Sequence, residues 1–133
     1  MEDKKPITLK YISRARNWLK EYSADSETEI GKHATIKAFS YCHELSFKLL
    51  ARVLLEIEGA PAAESIKEIF KQAACMELID DAQLWFDFTC IRKKANNCFD
   101  QKTFKEMEKA LPIFQQELDS LIERLQKNYT FDE

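Results

Sequence analysis

A shortage of glycine and proline is the feature that most constrains the fold of this chain. Its 133 residues include two glycines and three prolines, whereas average chains carry roughly 7% glycine and 5% proline. A sheet protein needs a turn about every ten residues, and these residues cannot supply that many. The sequence therefore predicts few, long helices. At this length we expect a single helical domain over residues 1–133.

Charge and hydropathy exclude several classes of protein. The formal net charge of −3 and the pI near 5.5 exclude a chain that is basic as a whole, as nucleic-acid binders usually are. The sequence contains no run of 18 or more apolar residues that could span a bilayer. Its start, MEDKKP, lacks the apolar core of a signal peptide. We therefore expect a soluble, cytoplasmic protein with no membrane partner.

The cysteines and histidines do not form a metal-binding pattern. The cysteines are not arranged as close pairs, and His33 and His43 stand ten residues apart, which is not a chelating spacing on a helix. In a reducing cytosol the cysteines are expected to be free thiols. We predict neither a metal site nor a cofactor. The cysteines are Cys42, Cys75, Cys90 and Cys98.

Apolar spacing and helix-breaking residues divide the chain into helical segments. Ser26 and Glu29 match a capping box before the second segment, whose second half is apolar almost all round and must be central or at an oligomer seam. Pro112 is expected to kink the last helix or split it in two. The predicted helices cover about 6–22, 28–58, 61–74, a segment capped by Asp80–Asp81, and a segment from Asp100 to about 125.

The first helix combines a predicted apolar stripe with basic side chains. The stripe consists of Ile7, Tyr11, Ala15, Trp18 with Leu19, and Tyr22, at helical spacing. Residues 1–20 contain six basic and two acidic side chains. These basic residues form either an ordinary solvated face or an electropositive surface for an acidic partner or a phosphate.

Three stretches in the middle of the chain carry a family resemblance. They are 39–50 (FSYCHELSFKLL), the turn at 59–61 followed by 66–71 (IKEIFK), and 78–85 (LIDDAQLW). In order and spacing, roughly residues 30–125 resemble the nucleotidyltransferase substrate-binding proteins, a branch of the HEPN superfamily. The resemblance implies an all-α, up-and-down bundle of four or five helices, similar to the C-terminal domain of kanamycin nucleotidyltransferase.

The resemblance also implies a partner. Such proteins are small helical chains, usually dimeric, that associate with a separately encoded minimal nucleotidyltransferase. In many relatives the two form a toxin and antitoxin. The helical chain is then a metal-independent RNase, and the transferase silences it by nucleotidylating a tyrosine. Those relatives carry arginine, a polar residue, three spacers, histidine, one spacer and tyrosine at the end of the fourth helix.

This chain departs from that motif. Alignment on Arg92 places Lys93 at the polar position, Asn97 where the histidine belongs and Phe99 where the tyrosine belongs. An amide does not titrate near neutral pH as imidazole does, and phenylalanine has no hydroxyl to accept a nucleotidyl group. Arginine still matches a phosphate through its planar fork of donors. Ligand binding therefore survives these replacements better than catalysis does.

Candidate site residues follow from the resemblance and from the charges around Arg92. We expect Arg92, Lys93, Lys94 and Asn97 to bind a phosphate or another ligand. Arg92 could instead form an internal ion pair with Glu44 or Asp87.

Other residues have supporting roles or are weaker candidates. Lys48 and Arg52 form a basic pair four residues apart that we expect to be solvated. The residues predicted to support the site are Tyr41, Glu44, Lys48 and Trp85. The candidates for a catalytic role are Arg92, Asn97 and His43.

Three functions are consistent with these patterns. The first, which we favour, is a non-catalytic subunit that binds substrate or nucleotide for a nucleotidyltransferase and presents a groove and an apolar seam to it. The second is an RNase with an altered site in which His43 replaces the missing base. The third is a stand-alone structural dimer. RNA remains a candidate ligand for the first two.

Overall fold

Five α-helices account for most of the computed structural model, which describes residues 6–24, 26–97 and 100–131. No strand occurs within those ranges. The predicted all-α bundle is confirmed. The helices are α1 (Lys10–Ser23), α2 (Glu29–Arg52), α3 (Ile66–Cys75), α4 (Ala82–Asn97) and α5 (Gln101–Asn128).

Helix α2 is the centre of the bundle. It packs against α1, α3, α4 and α5, and Phe39, Cys42 and Leu50 are fully buried. This position explains why its second half is apolar almost all round, since a helix with neighbours on several sides has little surface left for charged side chains.

An interlocked aromatic cluster fills the space between α2, α4 and α5. Trp85 lies 5.5 Å from Phe88 between ring centroids, and Phe88 lies 5.0 Å from Phe114, both edge-to-face. Phe39 meets Phe114 at 4.8 Å in the same geometry. Edge-to-face contacts favour a fixed arrangement of the rings. Trp85 and Phe88 are both buried in this cluster.

The start of α2 differs from the prediction. Thr28 is the N-cap, and its hydroxyl accepts a hydrogen bond from the Gly31 amide at 2.9 Å. Ser26 lies outside the helix and donates to Glu108 on α5 at 3.5 Å. The predicted Ser26–Glu29 capping box is therefore wrong, because the helix begins two residues later than that motif requires.

The connection between α2 and α3 is longer than predicted. After α2 the chain forms a π-helical turn over Val53–Ile57 and then leaves the helix at Gly59, whose φ of 69° is in the left-handed region. Helix α3 starts after Ser65 rather than at Pro61, because the Ser65 hydroxyl caps it by accepting from the Glu68 amide at 3.1 Å.

Pro112 lies inside a single helix. Helix α5 continues from Gln101 to Asn128, so of the two outcomes predicted for this proline the split does not occur. Pro112 is exposed. Water can therefore reach the carbonyl of Glu108, which loses its donor to the proline ring.

Helix α1 buries only part of the predicted stripe. Ile12, Ala15 and Leu19 are buried, whereas Tyr11 is 55% exposed and Trp18 is 39% exposed. The predicted burial of the aromatic positions is wrong. Ala15 and Leu19 belong to the predicted stripe and are buried, so the buried face overlaps that stripe but lies on its aliphatic side.

The helices of the described ranges carry neither a membrane-spanning segment nor a metal-binding cluster. Within the residues described, no helix has both the length and the apolar character required to cross a bilayer. Nor do three or more histidine, cysteine or acidic residues converge there as a metal-binding group. Cys42, Cys75 and Cys90 are free thiols, and Cys98 lies outside the described residues.

Candidate functional site

A polar cluster links the middle of α2 to the second half of α4, and we call it the Arg92 cluster. It consists of Ser40 and His43 on α2 and Thr89, Arg92 and Asn96 on α4. The Nε of Arg92 donates to Ser40 Oγ at 2.8 Å, and the Asn96 amide donates to the same oxygen at 3.0 Å. The Nη1 of Arg92 lies 3.4 Å from His43 Nδ1. The serine and histidine thus hold the guanidinium from one side.

Arg92 has no carboxylate partner among the described residues. Glu44 pairs with Lys48 at 3.2 Å, and Asp87 accepts from Gln83 at 2.9 Å. The internal ion pair considered for Arg92 is therefore not formed, because both candidate carboxylates are engaged by residues of their own helices. The remaining close contact of the guanidinium is the ring of Phe47, whose centroid lies 5.9 Å from Cζ.

The guanidinium keeps unused donors. Arginine has five N–H groups, and one on Nε and one on Nη1 are engaged by Ser40 and His43. The other Nη1 donor and both Nη2 donors have no acceptor among the described residues. Arg92 also lines a cleft of about 380 Å³, together with Ile66, Thr89, Lys93, Asn96 and Asn97. The arrangement can accept an anion that brings two or more oxygens.

His43 belongs to the core rather than to the cleft. It is fully buried, and its Nε2 lies 2.8 Å from Thr89 Oγ1. Burial, together with the positive charge of Arg92, lowers the pKa of His43 to about 3. The ring is therefore neutral at physiological pH, and both nitrogens are occupied. A substrate hydroxyl cannot use it as a base without displacing one of these contacts.

Three of the four predicted ligand-binding residues lie together. Arg92, Lys93 and Asn97 line the same cleft. Lys94 does not line it, since its Nζ pairs with Glu106 on α5 at 3.5 Å.

Three residues of the Arg92 cluster were missed by the sequence reasoning. Asn96 stands four residues after Arg92, which is a same-face spacing on a helix and could have revealed it. Ser40 and Thr89 carry no comparable signal, because small hydroxyl residues are common on helices. Their role depends on how α2 and α4 meet.

The predicted supporting residues fall in different places. Tyr41 stacks on Trp18 of α1 at a centroid distance of 6.2 Å, and Glu44 and Lys48 pair with each other. Trp85 is buried beneath the cluster, where its carbonyl accepts from the Thr89 hydroxyl at 3.2 Å. Phe99, which stands at the tyrosine position of the family motif, lies outside the described residues.

A second surface feature lies along α1 and α2. Four aromatic side chains there are at least one third exposed, and we call them the aromatic face: Tyr11, Trp18, Tyr22 and Tyr41. A groove of about 630 Å³ adjoins it. Its lining includes Tyr11 and Leu45 together with the cations Lys48 and Arg52. Lys48 and Arg52 were predicted to be a solvated basic pair. Instead, Lys48 forms an ion pair with Glu44, and Arg52 forms one with Glu56 at 2.8 Å, each four residues away along the chain.

The basic side chains of α1 are partly used within the bundle. Arg16 Nη1 lies 3.5 Å from Asp119 of α5, and Lys20 Nζ lies 3.7 Å from the same carboxylate. This part of the helix is thus more than a solvated face, because it shares a counter-charge with α5.

Comparison with known proteins places this bundle in a class. The model of the family described as nucleotidyltransferase substrate binding protein like matches residues 9–127. That range includes every helix except the last residue of α5, and the chain belongs to this family. The resemblance inferred from residues 39–50, 66–71 and 78–85 is confirmed.

Solved structures agree on the fold. A crystal structure of a protein from Thermus thermophilus is similar with a TM-score of 0.77 and 23% sequence identity, over 86% of this chain and 98% of that one. At that identity the likeness concerns the fold alone. A comparison with curated proteins finds no match.

Proposed function

We propose that this chain is a non-catalytic subunit that binds substrate or nucleotide for a separately encoded nucleotidyltransferase, with the Arg92 cluster holding a phosphate of the ligand. The observation that carries the proposal is the state of Arg92. Its guanidinium is half-buried, is fixed by the neutral side chains of Ser40 and His43, and keeps three donors beside a cleft.

Other arginines of the chain support this interpretation by contrast. Arg124 donates to Asp80 at 2.6 Å, and Arg52 donates to Glu56 at 2.8 Å, so each has a counter-charge within the protein. A half-buried cation without one is costly unless an anion completes its environment. The planar donors of arginine suit phosphate oxygens in a two-point contact, and Lys93 adds positive charge at the rim.

The composition of the cleft favours binding over catalysis. Its lining side chains include the amides of Asn96 and Asn97 and the hydroxyl of Thr89, with no imidazole or carboxylate among them. Activation of a hydroxyl nucleophile requires a base that titrates near neutral pH. An RNase of the family type would therefore lack its base in the described part of this site.

The aromatic face is the surface on which we propose that the nucleotidyltransferase docks. Trp18 and Tyr41 form a half-exposed stacked pair, and Tyr11 borders a groove beside them. Aromatic residues of this kind are enriched at protein interfaces, where they contribute a large share of the binding energy. The family description supports a nucleotidyltransferase as the occupant, because we expect a chain that binds the substrate to contact the transferase that uses it.

Co-expression with the minimal nucleotidyltransferase encoded nearest to this chain tests both parts. Trp18→Glu is expected to abolish co-purification, because it places a charge in the centre of the aromatic face. Arg92→Ala is expected to leave the complex intact and weaken ATP binding to it at least tenfold. Arg16→Ala is the matched control, since it removes an arginine that is already paired with Asp119.

Native mass spectrometry of the complex gives the outcome. Failure of the wild-type chains to co-purify would overturn the proposed partner, and equal ATP affinity for Arg92→Ala and wild type would overturn the proposed phosphate site. The same spectra count the copies of this chain, for which the proposal includes a homodimer.

A further inference from the structure

The hydrogen bonds around His43 define which of its nitrogens carries the proton. Thr89 has one hydroxyl hydrogen, which it donates to the carbonyl of Trp85 at 3.2 Å. Its oxygen must therefore accept from His43 Nε2, 2.8 Å away, so that Nε2 carries the N–H. The ring is neutral, since the pKa of His43 is about 3, and Nδ1 consequently has a free lone pair.

That lone pair faces a cation. The Nη1 of Arg92 lies 3.4 Å from Nδ1, and an arginine can only donate. Ser40 Oγ, 2.8 Å from Nε, is the other fixed acceptor. Two neutral acceptors on α2 thus hold the guanidinium at two points, while Phe47 lies 5.9 Å from Cζ.

We propose that His43 is a positioning residue for the phosphate site: its unprotonated Nδ1 orients the guanidinium of Arg92 without neutralising it, so that the whole positive charge is offered to a phosphate ligand. This inference rests on the proposed function of Arg92. A carboxylate at the same place would orient the arginine equally well, but it would form an internal ion pair and compete with the ligand. The neutral ring supplies orientation alone.

The inference specifies the chemical class of the ligand. With Nε and one Nη1 donor held, the remaining donors are on the two terminal nitrogens, and they can donate to two oxygens of one phosphoryl group. Lys93 lines the same cleft and can contact a second phosphoryl group. The geometry fits a di- or polyphosphate, such as the phosphate chain of a nucleotide, better than a single carboxylate.

A pair of substitutions separates the two nitrogens of the ring. His43→Asn places an amide oxygen near the position of Nδ1 and keeps the acceptor for Arg92. His43→Gln places its amide near the position of Nε2 and keeps the contact with Thr89, but it loses the acceptor. If burial alone mattered, the larger glutamine would be the milder change. If Nδ1 positions Arg92, asparagine is the milder change for binding.

The experiment measures binding of inorganic pyrophosphate by isothermal titration calorimetry to the full chain without its nucleotidyltransferase partner, because the active site of a nucleotidyltransferase releases pyrophosphate and would itself bind the probe. We expect His43→Asn to stay within about threefold of wild type, His43→Gln to bind at least tenfold more weakly, and Arg92→Ala to lose binding. Equal affinities for wild type and both histidine variants would overturn the inference while leaving the Arg92 site in place. Absence of binding by wild type would instead overturn the site itself, and the inference with it.

A measurement on the wild-type chain keeps the inference testable if a variant fails to fold. Nitrogen-15 NMR of the histidine side chains distinguishes a protonated from an unprotonated ring nitrogen. We expect Nε2 of His43 to carry the proton and Nδ1 to be bare. Addition of pyrophosphate should shift the Nδ1 signal, because the ligand binds the same Arg92 guanidinium that donates to Nδ1. A proton on Nδ1 would overturn the inference directly.

Discussion

Two arginines of the bundle illustrate opposite uses of the same side chain. Arg16 on α1 lies 3.5 Å from Asp119 of α5, which Lys20 also approaches at 3.7 Å. Arg92 on α4 meets the neutral side chains of Ser40 and His43, and no carboxylate of the described residues approaches it. Arg16 therefore helps to join α1 to α5, whereas Arg92 keeps its charge for a ligand.

The difference shows that local charge counts do not identify a binding site. Residues 1–20 are the more basic segment of the sequence, yet Arg16 and Lys20 share an internal counter-charge. The partner of each cation, rather than the number of cations, decides which of them can attract an anion.

The largest effect is expected from removing the core beneath the Arg92 cluster. Trp85→Ala should lower the free energy of unfolding by about 3–5 kcal/mol, because it deletes a fully buried ring packed on Phe88 and Phe114. Urea unfolding followed by circular dichroism measures the loss. Trp18→Ala is the matched control and should cost about 1 kcal/mol, since that ring is 39% exposed. Similar losses for the two tryptophans would contradict this account of the core.

A pH titration of stability probes the buried side of the same cluster. Because the folded-state pKa of His43 is about 3, against 6.5 for a free histidine, the unfolded chain binds a proton that the folded chain excludes. The contribution of His43 to the free energy of unfolding is constant above pH 6.5. Between pH 6.5 and 3 this contribution falls by up to about 1.4 kcal/mol for each pH unit. The charged group facing the ring is Arg92, which disfavours protonation further.

His43→Gln removes this titration and is the control. Urea unfolding at pH 7 and pH 5 should show that wild type loses about 2 kcal/mol more than the variant does. If both chains lose the same free energy of unfolding between pH 7 and pH 5, His43 is not a buried neutral ring. Arg92 would then not be held by neutral side chains alone, and its contrast with Arg16 would fail.

The smallest effect is expected at the Arg16 end of the comparison. Asp119→Asn should cost about 1 kcal/mol, the upper end of the range for exposed ion pairs, because the Asp119 side chain is 45% exposed as a whole but its Oδ1, which faces Arg16, is buried. Unfolding at low and high salt checks the cause, since the cost should shrink as salt is added. Asp87→Asn removes a carboxylate that accepts from Gln83, and this control should show no such salt dependence.

Much of the fold could be predicted from local sequence. The scarcity of glycine and proline predicts long helices, and Asp81 and Asp100 cap α4 and α5 as expected, with Asp100 accepting from the Thr103 amide at 2.7 Å. Ser26 shows where this reasoning fails. Its capping motif competes with Thr28 two residues later, and Ser26 instead donates to Glu108 of α5, a contact between distant segments that neither motif reveals.

The candidate site was only partly predictable for a similar reason. Arg92, Lys93 and Asn97 follow one another on one helix, so a motif on α4 is enough to find them. Ser40 and His43 are about fifty residues away along the chain and join the site through the contact of α2 with α4. The spacing of residues along α4 does not show which neighbouring helix α4 contacts.

By itself, the sequence determined the helical class, the family and the position of Arg92, because breakers, apolar periodicity and short motifs act within a few turns of one helix. Tertiary structure alone decided which face of α1 is buried, that Arg16 has a carboxylate partner and that Arg92 has neutral ones. Those outcomes depend on the rotation of each helix against its neighbours, which is set by the packing of the whole core.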